Sequence, residues 1–263
     1  MKTIQILCIA LLIFSCSDDD APIPNIVEAA CLTNTLGNSI IAFYPFNGGA
    51  LTDESGDNHN LLNTTNASST SDRNGNPNCA YKFDNSQTAA EFLTTSNSDF
   101  LNGLNEFSIS VWYQPMDSTI IGVTTHGIFS RGNEGRCPNR IGEWSMSLFD
   151  CRRAVFGHDN SVWAFPVTNF VNGCDGEAEE LVDKWHHVVG IKNGNEYKIY
   201  FNGVLNETDT DDANCNNFQP AQDLGDVFVG FKFTGKIDDI IIYDREILQS
   251  EVTELFELES CCQ

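Results

Sequence analysis

A tryptophan next to a run of polar side chains is the first candidate for chemistry in this sequence. Trp163 closely follows His158, Asp159 and Asn160. Aromatic rings pack against the apolar faces of sugar rings, while carboxylate and amide groups bind the hydroxyls. The segment 158–163 therefore predicts a ligand-binding edge. The alternative is that Trp163 packs beneath a long loop.

The carboxylates do not follow a pattern typical of a glycosidase. Retaining enzymes of that class need two carboxyl groups about 5 Å apart. Glu143 is followed by Trp, Ser and Met, and the glutamates at 251, 254 and 257 lie at helical spacing near the end of the sequence. The histidines have no evident nucleophile partner in the sequence. We therefore expect a binding protein and not an enzyme.

The composition is strongly acidic. The 263 residues include 37 Asp and Glu against 14 Lys and Arg, which gives a formal net charge of -23. Phosphate recognition needs a basic surface, so we expect no nucleic-acid partner. Ten cysteines in a chain of this length favour an oxidising compartment.

Residues 1–15 are typical of a signal peptide, because Lys2 precedes an apolar run too short for a permanent membrane helix. Ser15 and Cys16 resemble the end of a lipobox, which implies a lipid on Cys16. An ordinary signal peptide that is cut elsewhere is the alternative. The acidic run 17–20 resembles a surface-export signal, and residues 16–35 are interpreted as a flexible acidic tether. The sequence thus predicts an outer-membrane lipoprotein that reaches the membrane through its lipid and faces the cell exterior.

Short apolar segments alternate with turn-rich spacers from Ile40 onward, which favours an all-β sandwich or barrel. The predicted strands are Ile40–Phe46, Ala80–Phe83, Phe107–Gln114, Gly127–Ser130, Trp144–Phe149, Arg153–Phe156, His186–Ile191, Tyr197–Phe201, Val204–Thr208, Val227–Phe231 and Lys236–Tyr243.

Two Asn-Gly pairs, at 193–194 and 202–203, predict tight hairpin turns, since this dipeptide supplies the positive φ angles of a type I′ turn. One helix is predicted at Ser250–Leu258, with Ser250 as its cap. Val252, Leu255 and Phe256 share one face of that helix.

A set of short motifs occurs in a fixed order along the chain. In order they are Tyr44–Gly48, Asp53–Gly56, Asp72–Pro77, Ala80–Asp84, Phe107–Trp112, Trp185–Val189, Tyr200–Val204, Gly235–Ile240 and Tyr243–Arg245. Together they resemble the laminin-G-like, concanavalin A-like lectin and glucanase jelly roll. The resemblance implies two antiparallel sheets over residues 36–263, one short carboxyl-terminal helix, and adjacent first and last strands.

The same resemblance implies a structural calcium ion where the first strand ends beside the last strand. Asp238 matches the position of one carboxylate ligand. Backbone carbonyls of Asn47 and Gly48 and the carboxylate of Asp53 complete the expected oxygen set. The alternatives are that Asp53 only forms an Asx-type turn and that Asp238 only caps a strand end.

Trp112 lies on the opposite face of its strand from Phe107, Ile109 and Val111, because side chains alternate along a strand. It is expected to be either a ligand platform on the concave sheet or a lid over the core.

Eight cysteines remain after Cys8 in the signal and Cys16 are set aside, and an even number suits disulfides. Cys137 and Cys151 bracket a predicted strand and are expected to pair. The jelly-roll topology implies that Cys31 pairs with either Cys261 or Cys262. Cys174 and Cys215 are assigned to each other by default.

The sequence therefore predicts a lipid-anchored, exported, non-catalytic protein that binds a polysaccharide. An adhesin that binds a cell-surface protein is the alternative, and a glycoside hydrolase is a weaker one. The fold does not choose between them, because function depends on the side chains placed on it.

Overall fold

Two antiparallel β-sheets pack face to face in the computed structural model of the protein. The structure describes residues 31–85, 90–116, 126–131, 144–149, 153–157, 162–163, 181–210 and 226–262. The predicted all-β sandwich with one carboxyl-terminal helix is confirmed.

The described residues form fifteen strands and one α-helix. In chain order these are β1 Ile40–Tyr44, β2 Leu61–Leu62, β3 Ser68–Thr70, β4 Ala80–Phe83, β5 Leu93–Thr95, β6 Glu106–Pro115, β7 His126–Arg131, β8 Trp144–Phe149, β9 Arg153–Gly157, β10 Val162–Trp163, β11 His186–Asn193, β12 Glu196–Phe201, β13 Val204–Thr210, β14 Val227–Val229, β15 Gly235–Tyr243 and α1 Gln249–Glu257. The sequence did not predict β2, β3, β5 or β10, which have only two or three residues each and are too short to show an alternating pattern.

The first sheet has eight strands in the order β13-β12-β11-β6-β15-β4-β3, with β1 also paired to β15. The second has seven strands in the order β10-β9-β8-β7-β14-β5-β2. Phe43 of β1 lies opposite Ile241 of β15, so the expected adjacency of the first and last long strands is confirmed.

The main core lies between the two sheets. Alternation along β6 turns Phe107, Ile109 and Val111 inward, where each is at most 2% exposed. Gly190 of β11 lies opposite Ile109 and also faces inward. A Cβ atom at Gly190 would lie 2.5 Å from ring atoms of Phe156, which belongs to the other sheet. The sheets therefore approach each other closely at this position because Gly190 has no side chain.

The hairpin turns follow the predicted dipeptides, with one shift. Asn202 and Gly203 both have positive φ, as a type I′ turn requires. In the preceding hairpin Asn193 pairs with Glu196, so the turn consists of Gly194 and the next residue. That turn begins one residue later than predicted.

Helix α1 begins at Gln249, and the prediction that Ser250 caps it is wrong. The carboxylate of Glu251 accepts a hydrogen bond of 2.7 Å from the backbone N–H of Leu248, the residue before the helix. Val252 and Leu255 are buried beneath the helix as predicted. Within the described residues, no helix is long and apolar enough to span a membrane.

The close approach of the sheets at Gly190 gives a stability prediction. Gly190→Ala forces a methyl group against Phe156, and we expect it to lower the free energy of unfolding by about 1–3 kcal/mol. Urea denaturation followed by fluorescence measures this. Thr208→Ala, on the exposed strand β13, is the matched control and should stay within about 0.5 kcal/mol of wild type. Equal urea midpoints for the two variants would contradict the packing argument.

Candidate ligand-binding site

The outer face of the eight-stranded sheet is covered by α1 and by both ends of the described chain. A second hydrophobic cluster forms there, separate from the main core. It includes Val189 and Ile241 from the sheet and Val252 and Leu255 from α1. The middle of this face is therefore largely covered by the protein itself.

Trp112 lies on this covered face. The Arg73 guanidinium carbon is 4.6 Å from the centroid of its ring, and the ring of Phe256 from α1 stacks at 5.7 Å with an angle of 13° between the planes. The ring of His187 is 5.1 Å away. The prediction that Trp112 is on the face opposite Phe107 is correct. Trp112 is partly exposed and α1 packs against it, so its role as a ligand platform stays a prediction.

A buried ion cluster lies beside Trp112. Arg73 Nη1 is 2.6 Å from Asp238 Oδ2 and 2.7 Å from Asp239 Oδ2. Arg73 Nη2 donates a hydrogen bond of 3.2 Å to the carbonyl of Leu258, and the backbone N–H of Cys261 donates to Asp239 at 2.9 Å. One arginine therefore joins the centre of β15 to the segment after α1.

The cluster contains more negative than positive charge. Burial raises the pKa of Asp238 well above its ordinary value, and the neighbouring Asp239 carboxylate raises it further. Burial also raises the pKa of Asp239, against the opposing effect of Arg73. These carboxylates are held by protein groups in a site that α1 covers.

A serine and a histidine are hydrogen-bonded on the same face. Ser110 Oγ lies 2.8 Å from His187 Nε2, a geometry shared with nucleophile–base pairs. Burial, with a smaller effect from Arg73, lowers the pKa of His187 to about 3, so the imidazole is a weak base. His187 Nδ1 has no hydrogen-bond partner in the described part of the chain. The cavity next to Ser110 has room for about one water molecule, so the pair is a packing feature.

Two disulfides fix the covering segments to the sheet. Cys31 is bonded to Cys261, which was one of its two expected partners, and Cys79 is bonded to Cys262. The pairing of Cys79 was not predicted. Cys137, Cys151, Cys174 and Cys215 lie outside the described residues, as does Cys16.

Asp53 organises the loop after β1. Its Oδ1 accepts hydrogen bonds from the backbone N–H groups of Phe43 and Ser55, and its Oδ2 accepts from Ser55 Oγ and the N–H of His59, all at 2.8–2.9 Å. The bond from the N–H of Ser55 is the Asx-type turn that was the alternative to a calcium ligand.

The four residues expected to bind calcium do not fit that ion as they are arranged. Four protein donors already fill the acceptor positions of the Asp53 carboxylate, and Asp238 is paired with Arg73. The backbone carbonyl of Asn47 accepts a hydrogen bond of 3.0 Å from the N–H of Ala50, and Gly48 lies in a short 3-10 turn. Among the described residues, no group of three or more His, Cys, Asp or Glu side chains could hold a metal ion.

The predicted ligand edge falls largely outside the described residues, which exclude His158, Asp159 and Asn160. The backbone of Trp163 is described. It belongs to β10 and lies opposite Val155 of β9. Since β10 is an end strand of the seven-stranded sheet, Trp163 lies at the edge of that sheet.

The outer face of the seven-stranded sheet carries a cluster of aromatic rings that the sequence analysis missed. Phe92, Phe228 and Phe231, here called the phenylalanine cluster, have ring centroids 5.3–5.9 Å apart and are all partly exposed. Val227 and Val229, on either side of Phe228, are buried in the main core. An aromatic residue between two core valines in a predicted strand was the available signal.

Strand register extends this face into a row. Leu62 lies opposite Thr94, and Thr94 lies opposite Phe228. The row continues across the sheet through Ser130 and Ser145. Leu62 is 44% exposed, whereas the two serines are at most 4% exposed. The row is therefore open on the β2-β5-β14 side and covered on the β7-β8 side.

Asn85 fixes the two loops that carry the cluster. Its side-chain nitrogen donates hydrogen bonds to the carbonyls of Glu91, Gly230 and Phe233, at 2.8–3.0 Å. Its side-chain oxygen accepts from the N–H of Glu91 at 2.7 Å. These bonds hold the backbone beside Phe92 and Phe231, so both residues are in place before any ligand binds.

The sequence profile of a laminin-G family, Laminin G 3 of the concanavalin A-like lectin/glucanases superfamily, matches residues 85–253. The chain belongs to this family. No protein of curated function matches this laminin-G chain significantly in sequence.

Solved structures share the fold of this laminin-G domain at low sequence identity. Domain 4 of AbnA, a GH43 extracellular arabinanase from Geobacillus stearothermophilus in complex with arabinotriose, has a TM-score of 0.58 and 20% identity, covering 83% of this chain and 98% of that domain. A botulinum neurotoxin type C structure has a TM-score of 0.59 and 18% identity, and the match covers 83% of this chain and 50% of that one. The binding domain of Paraclostridial Mosquitocidal Protein 1 has a TM-score of 0.58 and 17% identity, and the match covers 83% of this chain and 52% of that one. The laminin-G chain thus spans about half the length of these toxin structures.

The burial of His187 in the laminin-G domain gives a pH prediction. The pKa of His187 is about 3 in the folded state, against an ordinary value of 6.5. Between these two pH values the imidazole is neutral in the folded protein and takes up a proton on unfolding. Stability should therefore fall as pH is lowered from 6.5 towards 3, with a slope of up to about 1.4 kcal/mol per pH unit from this residue. His187→Gln removes the titrating group and should reduce the slope by that amount.

Urea unfolding at a series of pH values, for wild type and variant in parallel, measures the difference. Other titrating groups are common to both proteins, so the difference isolates His187. Parallel stability curves would show that His187 has the same pKa in the folded and the unfolded protein, which would contradict the prediction.

The contacts of Asp53 and Asp238 give a prediction about metal. Because Asp53 accepts four hydrogen bonds from protein groups and Asp238 Oδ2 is paired with Arg73, the melting temperature in about 1 mM EDTA should equal that in calcium-containing buffer. Differential scanning calorimetry measures both. A fall of several degrees in EDTA would instead restore calcium as a structural ligand.

Proposed function

We propose that the protein is a non-catalytic glycan-binding protein whose ligand packs on the phenylalanine cluster. The observation that carries the proposal is the exposure of these three rings on the outer face of the seven-stranded sheet. Aromatic faces of this kind bind the apolar faces of sugars. On the opposite sheet Trp112 is also partly exposed, but its ring contacts both Phe256 of α1 and the guanidinium of Arg73.

The structural neighbours support a glycan as the ligand class. Domain 4 of AbnA was solved with arabinotriose, and cell entry of botulinum neurotoxin type C depends on interaction with two ganglioside molecules. Both share the present fold at 20% identity or less, so they support the class of ligand and not its identity.

Binding without catalysis agrees with the state of the reactive groups. The carboxylates of Asp238 and Asp239 are both paired with Arg73 and buried, so neither is open to a substrate. The hydrogen-bonded Ser110 and His187 lie on the same covered face. No catalytic role is therefore assigned to these side chains.

The proposal includes export and a lipid anchor at Cys16. The two disulfides support an oxidising compartment, since such bonds persist outside the reducing cytosol. With the signal-like residues 1–15, this favours an outer-membrane protein that presents its ligand face at the cell surface.

A protein partner is the second candidate, and one observation favours it. Val204, Leu205 and Leu248 are 64%, 43% and 65% exposed. The side chain of Gln249 donates a hydrogen bond to the carbonyl of Gly203, which holds Leu248 close to the hairpin. This apolar patch lies at the end of the eight-stranded sheet, away from the phenylalanine cluster.

Alanine substitutions in the phenylalanine cluster test glycan binding. Phe231→Ala and Phe228→Ala remove stacking surfaces that each contribute about 1–2 kcal/mol, so we expect affinity to fall roughly tenfold or more. A polysaccharide array followed by calorimetry on the strongest hit gives the measurement. Leu205→Ala, which removes an exposed apolar side chain elsewhere, is the matched control and should bind as wild type does.

The two candidate functions give different results. Absence of any glycan hit would reject the first proposal. A specific protein partner lost in Leu205→Ala but kept in Phe231→Ala would establish the second.

A further inference from the structure

We propose that the phenylalanine cluster selects a neutral glycan, which it contacts through ring faces poor in hydroxyl groups over about two sugar units. This inference rests on the proposed glycan-binding function and specifies its ligand. It follows from three properties of the site: its polar groups, its charge and its length.

The polar groups beside the cluster are largely committed to the protein. The two N–H groups of the Asn85 amide are shared among three carbonyls, and its oxygen accepts one hydrogen bond. One carboxylate oxygen of Glu91 accepts a hydrogen bond of 2.6 Å from the backbone N–H of Asp84. Phenylalanine rings have no donor or acceptor. Contact at the centre of this site is therefore apolar, and a sugar face crowded with hydroxyls would lose bonds to water without replacement.

The charges around the cluster oppose an acidic ligand. The described residues next to the rings along the chain, 84–85, 90–92 and 226–232, include Asp84, Glu91 and Asp226 and one basic residue, Lys232. The Lys232 ammonium lies 5.3 Å from the centroid of the Phe231 ring. The chain as a whole has a formal charge of -23, so the long-range field also repels anions. Uronates, sulfated sugars and sialylated glycans are therefore disfavoured relative to neutral ones.

The open part of the row is short. Leu62, Thr94 and Phe228 lie on three neighbouring strands, so the open face is two strand spacings wide, roughly 10 Å. The next residue of the row, Ser130, is buried. A pyranose ring is similar in width to a phenylalanine ring, which leaves room for about two sugar units. A longer chain gains no further contact along this row.

A matched pair of oligosaccharides tests the charge argument. Trigalacturonic acid and its methyl ester share one backbone and differ in charge, and neutral and sulfated polysaccharides on the same array extend the comparison. We expect every hit that Phe231→Ala abolishes to be neutral. Affinity for those hits should change by less than about twofold between roughly 50 and 500 mM NaCl. Over this range the Debye length falls from about 14 to about 4 Å, so binding that depended on charge would change more.

A charge variant gives the matched control. Glu91→Gln with Asp226→Asn removes two negative charges while the glutamine oxygen can still accept from Asp84. Affinity for a neutral hit should stay within about twofold of wild type, and binding of acidic glycans should increase. For length, oligomers of three and six units of a neutral hit should bind with affinities within about twofold of each other.

The outcomes separate this inference from the function on which it depends. An acidic glycan that binds wild type and is lost in Phe231→Ala would overturn the inference and leave glycan binding intact. Affinity that rises steeply from three to six units would overturn the proposed length. No glycan hit of any kind would reject the proposed function, and the ligand class with it.

Discussion

The pairing of Arg73 with Asp238 and Asp239 is the interaction on which the arrangement of this molecule depends. Two adjacent carboxylates in the middle of a buried strand carry a large desolvation cost unless a cation and hydrogen bonds compensate them. Arg73 lies on a turn whose backbone is held by Asp72, and it also binds the carbonyl of Leu258. A turn, a central strand and the segment after α1 must therefore come together for the carboxylates to be buried.

That requirement makes the two faces of the sandwich unequal. The helix and the chain ends that complete the ion cluster cover the outer face of the eight-stranded sheet, where Trp112 and His187 then pack. The other sheet keeps partly exposed rings at one end. The roles proposed for the two faces follow from this difference. The covered face contributes to stability, and the other face is proposed to bind a ligand. Function thus depends on which sheet the terminal segments cover and not on the jelly roll alone.

The sequence predicts the fold well because its signals are local or repeated. Alternation in β6 and the turn at Asn202 and Gly203 were sufficient for that strand and one hairpin, and family motifs supplied the adjacency of β1 and β15. The site was harder to predict because it depends on distant partners. Asp238 was interpreted as a calcium ligand, and its partner Arg73 is 165 residues away in sequence. The side of β6 on which Trp112 lies was predictable, whereas the packing of Phe256 over it was not.

The adjacent cysteines at 261 and 262 give the domain a mechanical property. Cys261 is bonded to Cys31 and Cys262 to Cys79, so three distant parts of the chain meet through covalent bonds at two neighbouring residues. A pulling force that enters at Cys31 passes directly to the end of the chain and to the residue before β4, in parallel with its path to β1. The hydrogen bonds between β1 and β15 therefore do not carry that force alone, and the edge of the sheet resists being peeled away. A load applied at Cys31 is therefore shared between covalent bonds and the strand hydrogen bonds of the sheet.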